Sequence, residues 1–215
     1  MSAKTGSSDH LITSIEQLEA LYGEKNPNSI AKEIDYINDN YRKLIEAAPF
    51  VAIATGGPDG LDCSPKGDAP GFVRVLDERT LAIPDRPGNN RLDTQTNILA
   101  NPSVGLLFMI PGFDDTLRIN GTAQITRDPA LLALMVVNDR LPRVAIAVTV
   151  TEVFLHCAKA FRRAGLWDPS QRQDRRAMPS LVQIILDQTT GAPDDPADLQ
   201  KLDADLEADY QKSMY

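Results

Sequence analysis

The hydrophobic positions of this chain change period near residue 48. Before that point Ile30, Ile34, Ile37, Tyr41 and Ile45 recur at steps of four, three, four and four, which puts one apolar stripe along a helix. The spacing predicts a helix over 29–47, capped by Ser29 just after Pro27, and a shorter one over 12–21. After that point the apolar runs shorten and turn residues punctuate them. Phe50-Val51-Ala52-Ile53-Ala54 reads as a buried strand, the glycine-rich segment 56–60 as a turn, and Leu61 onward as a returning strand. Phe72–Leu76 and Thr80–Ile83 form a second pair around Asp77-Glu78-Arg79, and Val104–Ile110 is a continuous apolar strand. From Thr116 to Ile125 the alternation is strict: Leu117, Ile119, Gly121, Ala123 and Ile125 share one face, Arg118, Asn120, Thr122 and Gln124 the other. Val144–Leu155 is a last, β-branched strand.

Helical patterns are predicted at 90–100, with Leu92, Thr96 and Leu99 on one side, at 128–137 from Asp128-Pro129, at 179–189, and at 198–213, where Leu199, Leu202 and Leu206 make a thin stripe suited to packing on a partner surface. Residues 1–10 read as a disordered tail and 192–197 as a Pro/Asp linker. Many antiparallel strands with short turns and peripheral helices argue for a mainly β, α+β protein built on a small closed or Greek-key barrel; the βαβ rhythm of a dinucleotide fold is missing. Three regions are expected: a tail and short helix over 1–28, the barrel over 29–167, and a helical extension over 168–215.

A net charge of -8 disfavours nucleic acid and anionic membrane surfaces as main partners. No apolar run approaches the roughly 20 residues of a bilayer span, and Met1 to Asp9 carries no signal-type apolar core. A cytoplasmic location is therefore expected. Cys63 and Cys157 are too few and too far apart for a zinc motif or a disulfide framework.

Two stretches carry candidate chemistry. Pro84-Asp85-Arg86-Pro87-Gly88-Asn89-Asn90-Arg91 leaves a strand and enters a helix. Free amides at such a helix start attract anions, Gly88 lets a ligand come close, Asn89 and Asn90 can donate or cap, and Arg91 can fork onto a phosphate. An ordinary capped helix with a surface arginine fits the same residues. Cys63-Ser64-Pro65-Lys66-Gly67-Asp68 sets a hydroxyl and a cation close together beside a glycine; a polar loop is the plainer reading. It is not the phosphate loop of nucleotide hydrolases.

In register with Pro-Gly-Phe-Val (70–73), Asn-Pro-Ser-Val-Gly-Leu-Leu-Phe (101–108) and Thr-Leu-Arg-Ile-Asn-Gly-Thr-Ala (116–123), these stretches resemble the FMN-binding split-barrel family related to pyridoxamine 5'-phosphate oxidase, from about Pro49 to Trp167. The resemblance implies a six-stranded split barrel, a homodimer and two flavin mononucleotide (FMN) sites at its interface. By position, Ser64, Lys66, Asn90 and Arg91, with Asn89 beside them, would grip the phosphate. The backbone of Ile83, Pro84 and Asp85 would face the isoalloxazine ring, and Arg118 and Asn120 would reach the flavin from the other subunit. Lys66 stands where the family carries arginine, a point charge in place of a fork. The vitamin-binding C-terminal segment of the oxidase is missing. The ending His156 to Trp167 resembles that of uncharacterised flavin-binding relatives, which argues against vitamin B6 synthesis.

Lys159, Arg162 and Arg163 concentrate positive charge in that ending, and Trp167 could stack on a flavin ring or anchor an interface. His156 fits a strand-end hydrogen-bonding role better than catalysis. No base flanks Ser64 or Cys157 in sequence, so covalent catalysis has no positive signal. The resulting expectation is an FMN-dependent oxidoreductase acting on a small molecule. The alternatives are a non-catalytic carrier of flavin or haem and a cofactor-free interaction protein.

Overall fold

The computed structural model describes residues 10–24, 26–191, 193 and 195–215. Most of the expected tail, residues 1–9, and Ala192 and Asp194 of the expected linker lie outside them. The chain divides into two compact units, 1–33 and 34–215. The first contains α1 (Ile15–Tyr22), capped by the Ser14 side chain accepting from the Gln17 amide, and α2 (Pro27–Ala31), capped by Asn26; neither helix has a buried residue.

The second unit contains the barrel. Its elements, in order, are α3 (Asp39–Ala47), β1 (Phe50–Gly57), β2 (Gly60–Gly67), β3 (Arg74–Val75), β4 (Thr80–Pro84), α4 (Asp93–Ala100), β5 (Ser103–Met109), β6 (Thr116–Thr126), α5 (Pro129–Ala133), β7 (Ala145–His156), α6 (Lys159–Ala164), α7 (Leu181–Gln188) and α8 (Pro196–Ser213). The strands form one sheet in the order β2-β1-β5-β6-β7-β4-β3, each pair antiparallel. β2 and β3 are its two edges, so the sheet does not close on itself: it is a split barrel. Its inner face carries the core, with Val51, Ile53, Leu81, Ile83, Leu106, Phe108, Ile119, Ile146, Val148 and Val153 all buried. Among the described residues no helix is long and apolar enough to cross a membrane.

The single helix expected over 29–47 is two. Asn26 starts the first, and Ser29 lies inside it rather than capping it. Between them Ile34 pairs with Val153, and the Ile37 amide donates to Glu78 O at 2.6 Å. Asn38 then caps α3 by accepting from the Tyr41 amide. Ile37 and Ile45 are buried, and Ile34 and Tyr41 pack against the core, so this part of the stripe faces inward from extended chain and helix alike. The expected 128–137 helix ends at Ala133. Beyond it Asn138 and Asp139, at φ 50° and 59°, make a tight turn bridged by Val137 and Arg140. Consecutive left-handed residues suit Asn and Asp and cannot continue a helix.

The predicted alternation of β6 is realised, with Leu117, Ile119, Gly121 and Ala123 buried. A bulge interrupts the ladder between Asn120 and Gly121, where β7 carries the extra residue: Asn120 faces Glu152 and Gly121 faces Val150. A Cβ on Gly121 would lie 2.2 Å from Thr149 O, so only glycine fits this crossing.

The edge strand β2 is tied down by Asp68, whose side chain is 2% exposed and meets Arg86 Nε at 2.6 Å. Arg86 also donates to Met135 O, joining β2, the end of β4 and the β6–β7 connection. Burial alone would raise the Asp68 carboxyl; hydrogen bonds from the Tyr215 hydroxyl, the Ala69 amide and Arg86 outweigh it and hold the group below its ordinary range.

Two outcomes test this architecture in chemical denaturation. Gly121→Ala is expected to lower stability by about 3 kcal/mol, because main chain must move to admit the methyl group. Asp68→Asn is expected to cost about 2 kcal/mol, less than a fully buried pair because Arg86 keeps some exposure. The folded-state pKa of Asp68 is depressed, so its contribution is complete above the ordinary carboxylate value near 4 and disappears as pH falls below it. The Asn variant should therefore lose part of the wild-type acid sensitivity there.

Candidate functional site

Side chains of β2 alternate by the strand rule, and Asp62, Ser64 and Lys66 all turn to the side that meets α4, while Leu61, Cys63 and Pro65 turn outward. The helix answers with polar residues. Thr94 Oγ1 and Ser64 Oγ both donate to Asp62 Oδ2, at 3.3 and 2.8 Å. Gln95 Nε2 donates to Asp85 Oδ1 at 2.7 Å, and Lys66 Nζ stands 3.8 Å from the same oxygen. Asn97 Nδ2 donates to the buried Thr55 hydroxyl at 3.1 Å. Asp85 is thus the point where the end of β4, strand β2 and helix α4 meet. This also explains the corrected face of α4: Thr94 and Ile98 are buried, whereas Leu92 and Leu99 are 52% and 80% exposed. A strand that offers carboxylate, hydroxyl and ammonium groups selects the polar side of the helix.

The approach to α4 is unusual. The Asn89 side chain accepts from the Arg91 amide, Asn90 and Leu92 are both left-handed at φ 57° and 62°, and Leu92 occupies the N-cap without a capping side chain. Asparagine tolerates that conformation; leucine pays about 1–2 kcal/mol for it, and such outliers concentrate where a main chain is held for a purpose. The first-turn amides of α4 therefore have no side-chain cap. Arg91 is 73% exposed and pairs through Nε with Asp93 at 2.7 Å, beside a recess that Asp59 and Asp62 also line. Asn90 turns the other way and lines a cavity with Asp85, Arg86 and Gly88.

Ile83 and Pro84 are buried, and their main chain pairs with Ile146 and Ala145 of β7. On the other side β3 stops at Arg74, opposite Ala82, so among the described residues no strand runs along the edge of 83–85 that points away from β7.

Arg118 and Asn120 lie elsewhere. Register places Ala54, Gly105, Asn120 and Glu152 in one row across β1, β5, β6 and β7, and Ala52, Leu107, Arg118 and Phe154 in the next. These rows form the outer face of the sheet, opposite to Val51 and Ile53. Asn120 donates to Glu152 Oε1 at 2.9 Å, Arg118 stands 3.5 Å from the same oxygen and its guanidinium lies 5.2 Å from the Phe154 ring centre. Small residues keep this face shallow, with open recesses of about 530 and 430 Å³; Cys63 and His156 line the second together with Arg118. Trp167 is in neither place: its indole donates to Phe113 O at 2.6 Å, and its ring tilts against Phe161 at 5.9 Å.

The structure thus brings Ser64, Lys66, Asp85, Asn89 and Arg91 to the β2–α4 corner, turns Asn90 to the neighbouring cavity, away from Arg91 with which it was expected to act, and separates the corner from Arg118 and Asn120 by the thickness of the sheet. Asp62, Asp93, Thr94 and Gln95 were not singled out from sequence. The i, i+2 run Asp62-Ser64-Lys66-Asp68 held the signal for the first, as one polar face of a strand; nothing local marked the helix partners.

Against known proteins, residues 37–157 match the pyridoxamine 5'-phosphate oxidase family. No curated protein matches the chain. Solved structures that resemble it in part include HupZ from Group A Streptococcus (20% identity, 55% of this chain and 93% of that one, TM-score 0.47). Others are General Stress Protein 26 from Bacillus anthracis (17%, 53% and 88%, 0.43) and the FAD binding protein from Mycobacterium smegmatis (14%, 56% and 95%, 0.39). The assignment rests on the family match, which spans more than half of the sequence: this chain belongs to the pyridoxamine 5'-phosphate oxidase family.

Proposed function

We propose that the protein binds FMN at the β2–α4 corner of a homodimer and serves as an oxidoreductase for a small molecule. The observation that carries this reading is the division of polar groups between opposite faces of one sheet. A phosphate-type donor set lies on one face and an Arg118–Asn120 pair on the other, so a ligand that uses both needs two copies of the chain.

The donors fit a phosphoryl group. The uncapped first turn of α4 offers amides and the positive end of a helix dipole. Arg91 spends only Nε on Asp93, leaving its two terminal nitrogens without a hydrogen bond among the described residues. Ser64 and Lys66 approach from β2. Each cation already faces a carboxylate, Lys66 with Asp85 and Arg91 with Asp93. The Arg91 pair is solvent-exposed, and exposed pairs are weak, whereas a forked contact from guanidinium to phosphate is charge-assisted and doubly bonded. Arg91 would exchange Asp93 for the phosphate.

The uncovered edge at Ile83–Asp85 would lie along the isoalloxazine ring, and Arg118 and Asn120 of a second copy would close over it. Trp167, held by Phe113, would border the site from that copy. FMN, when bound, supplies hydride or electron transfer; the chain supplies position, charge and exclusion of water. With no nucleophile–base pair required, Ser64 and Lys66 serve binding alone.

Purified protein is expected to be yellow and to release FMN, identified by mass, on denaturation; release of haem, or of nothing, contradicts the reading. Arg91→Ala is expected to weaken FMN binding roughly ten-fold or more. The shared-site arrangement makes a sharper demand. Arg91→Ala and Arg118→Ala should each bind FMN poorly as homodimers, yet co-expression of both should restore one intact site in each mixed dimer. Flavin content that does not rise on mixing would show that each site is built within one chain.

A further inference from the structure

The cavity beside the corner is walled on one side by the 85–90 segment and on the other by the tight turn that ends at Arg140 and by Arg143. It encloses about 190 Å³, slightly more than a cavity that holds a benzene ring. Three arginines and one carboxylate side chain line it; the carboxylate, Asp85, already faces Lys66 and accepts from Gln95, so the positive charge is only partly matched. Arg86 is held by Asp68, but Arg143 has no ion-pair or hydrogen-bond partner among the described residues, and Arg140 donates only to a main-chain oxygen.

That oxygen belongs to Tyr215, which lines the same cavity. Its phenol donates to Asp68 Oδ1 at 2.5 Å, so Tyr215 is fastened at two ends, to a buried carboxylate and to a guanidinium. The helix that leads to it is otherwise loosely attached. Neither α8 nor α7, on which it packs, contains a buried residue. Segments with little buried apolar surface open at low cost. A residue 147 positions from Asp68 in sequence thus forms part of the wall of a basic pocket and offers it an acceptor oxygen and a phenol.

We propose that Tyr215 closes one wall of this pocket as a latch, which a small planar ligand bearing an anionic group displaces from Arg140, releasing α8 from the barrel. The anion takes Arg140 and the unpaired Arg143, and the body of the ligand takes the cavity together with the space that the tyrosine gives up. While the latch is closed, apparent affinity is reduced by the fraction of molecules that are open. The inference goes beyond the flavin reading: the pocket shares Asp85 and Asn90 with the proposed flavin corner, but the test turns on Tyr215 and Arg140, which that reading does not use.

The probe is 4-hydroxybenzoate, which carries a phenol and an anionic oxygen pair at opposite ends, and the measurement is titration calorimetry on the full chain. Tyr215→Ala is expected to bind the probe at least ten-fold more tightly than the unaltered protein, and Arg140→Gln in the same background is expected to abolish the gain. Tyr215→Phe, which keeps the ring and loses the bond to Asp68, should accelerate amide hydrogen exchange across α8 while sheet amides are unchanged. Equal affinity in the unaltered protein and Tyr215→Ala, absence of binding in Tyr215→Ala, or unchanged exchange in α8 would each overturn the proposal.

Discussion

A strand cannot aim two adjacent side chains at one place, and this constraint organises the molecule. Because Ile119 and Leu117 must enter the core, Arg118 and Asn120 must leave it. Because Lys66 and Ser64 stand opposite Val51 and Ile53, they must lie on the inner side, where α4 covers the sheet edge. Once the hydrophobic register is set, the polar groups are distributed between two faces with no further freedom. The bulge at Asn120 and Gly121 keeps that register through the crossing with β7. The only side chain tolerated there is none at all.

The architecture was largely legible in the sequence, because most elements follow from alternation or turn chemistry. β6 is the clearest case: its strict period of two already separated the inward from the outward residues. The reading failed where local polar groups overrode periodicity. The Ile30 to Ile45 stripe has helical spacing, yet Asn38 starts a new helix and Ile34 pairs with a strand; periodicity reports which residues face the core and is blind to a break between them. α4 failed for the opposite reason. Its leucines suggested an apolar face, but the surface it covers is polar, and that surface is built by a strand some 30 residues away.

The candidate site was legible as two motifs and not as a geometry. Ser64, Lys66 and the 85–91 segment could be marked as donors from residue type alone. That Asp85 joins three elements, that Asn90 and Arg91 turn to different recesses, and that Leu92 is left-handed all depend on how the chain arrives at α4, which no window of the sequence contains. Tyr215 is the extreme case, since its partners are set by the path of the whole chain.

The outer face of the sheet has a further consequence. Around Arg118 and Asn120 it is paved with Ala52, Ala54 and Gly105, so its depth is fixed by main chain rather than by side chains. A Cβ on Gly105 would lie 3.4 Å from the Asn120 side-chain oxygen and 3.9 Å from Ala54 Cβ, which are van der Waals contacts and not clashes. Single methyl additions at these positions can reshape the floor by small steps while every charge and hydrogen bond stays where it is. A floor made of main chain can in this way be recontoured without moving Arg118, Asn120 or Glu152.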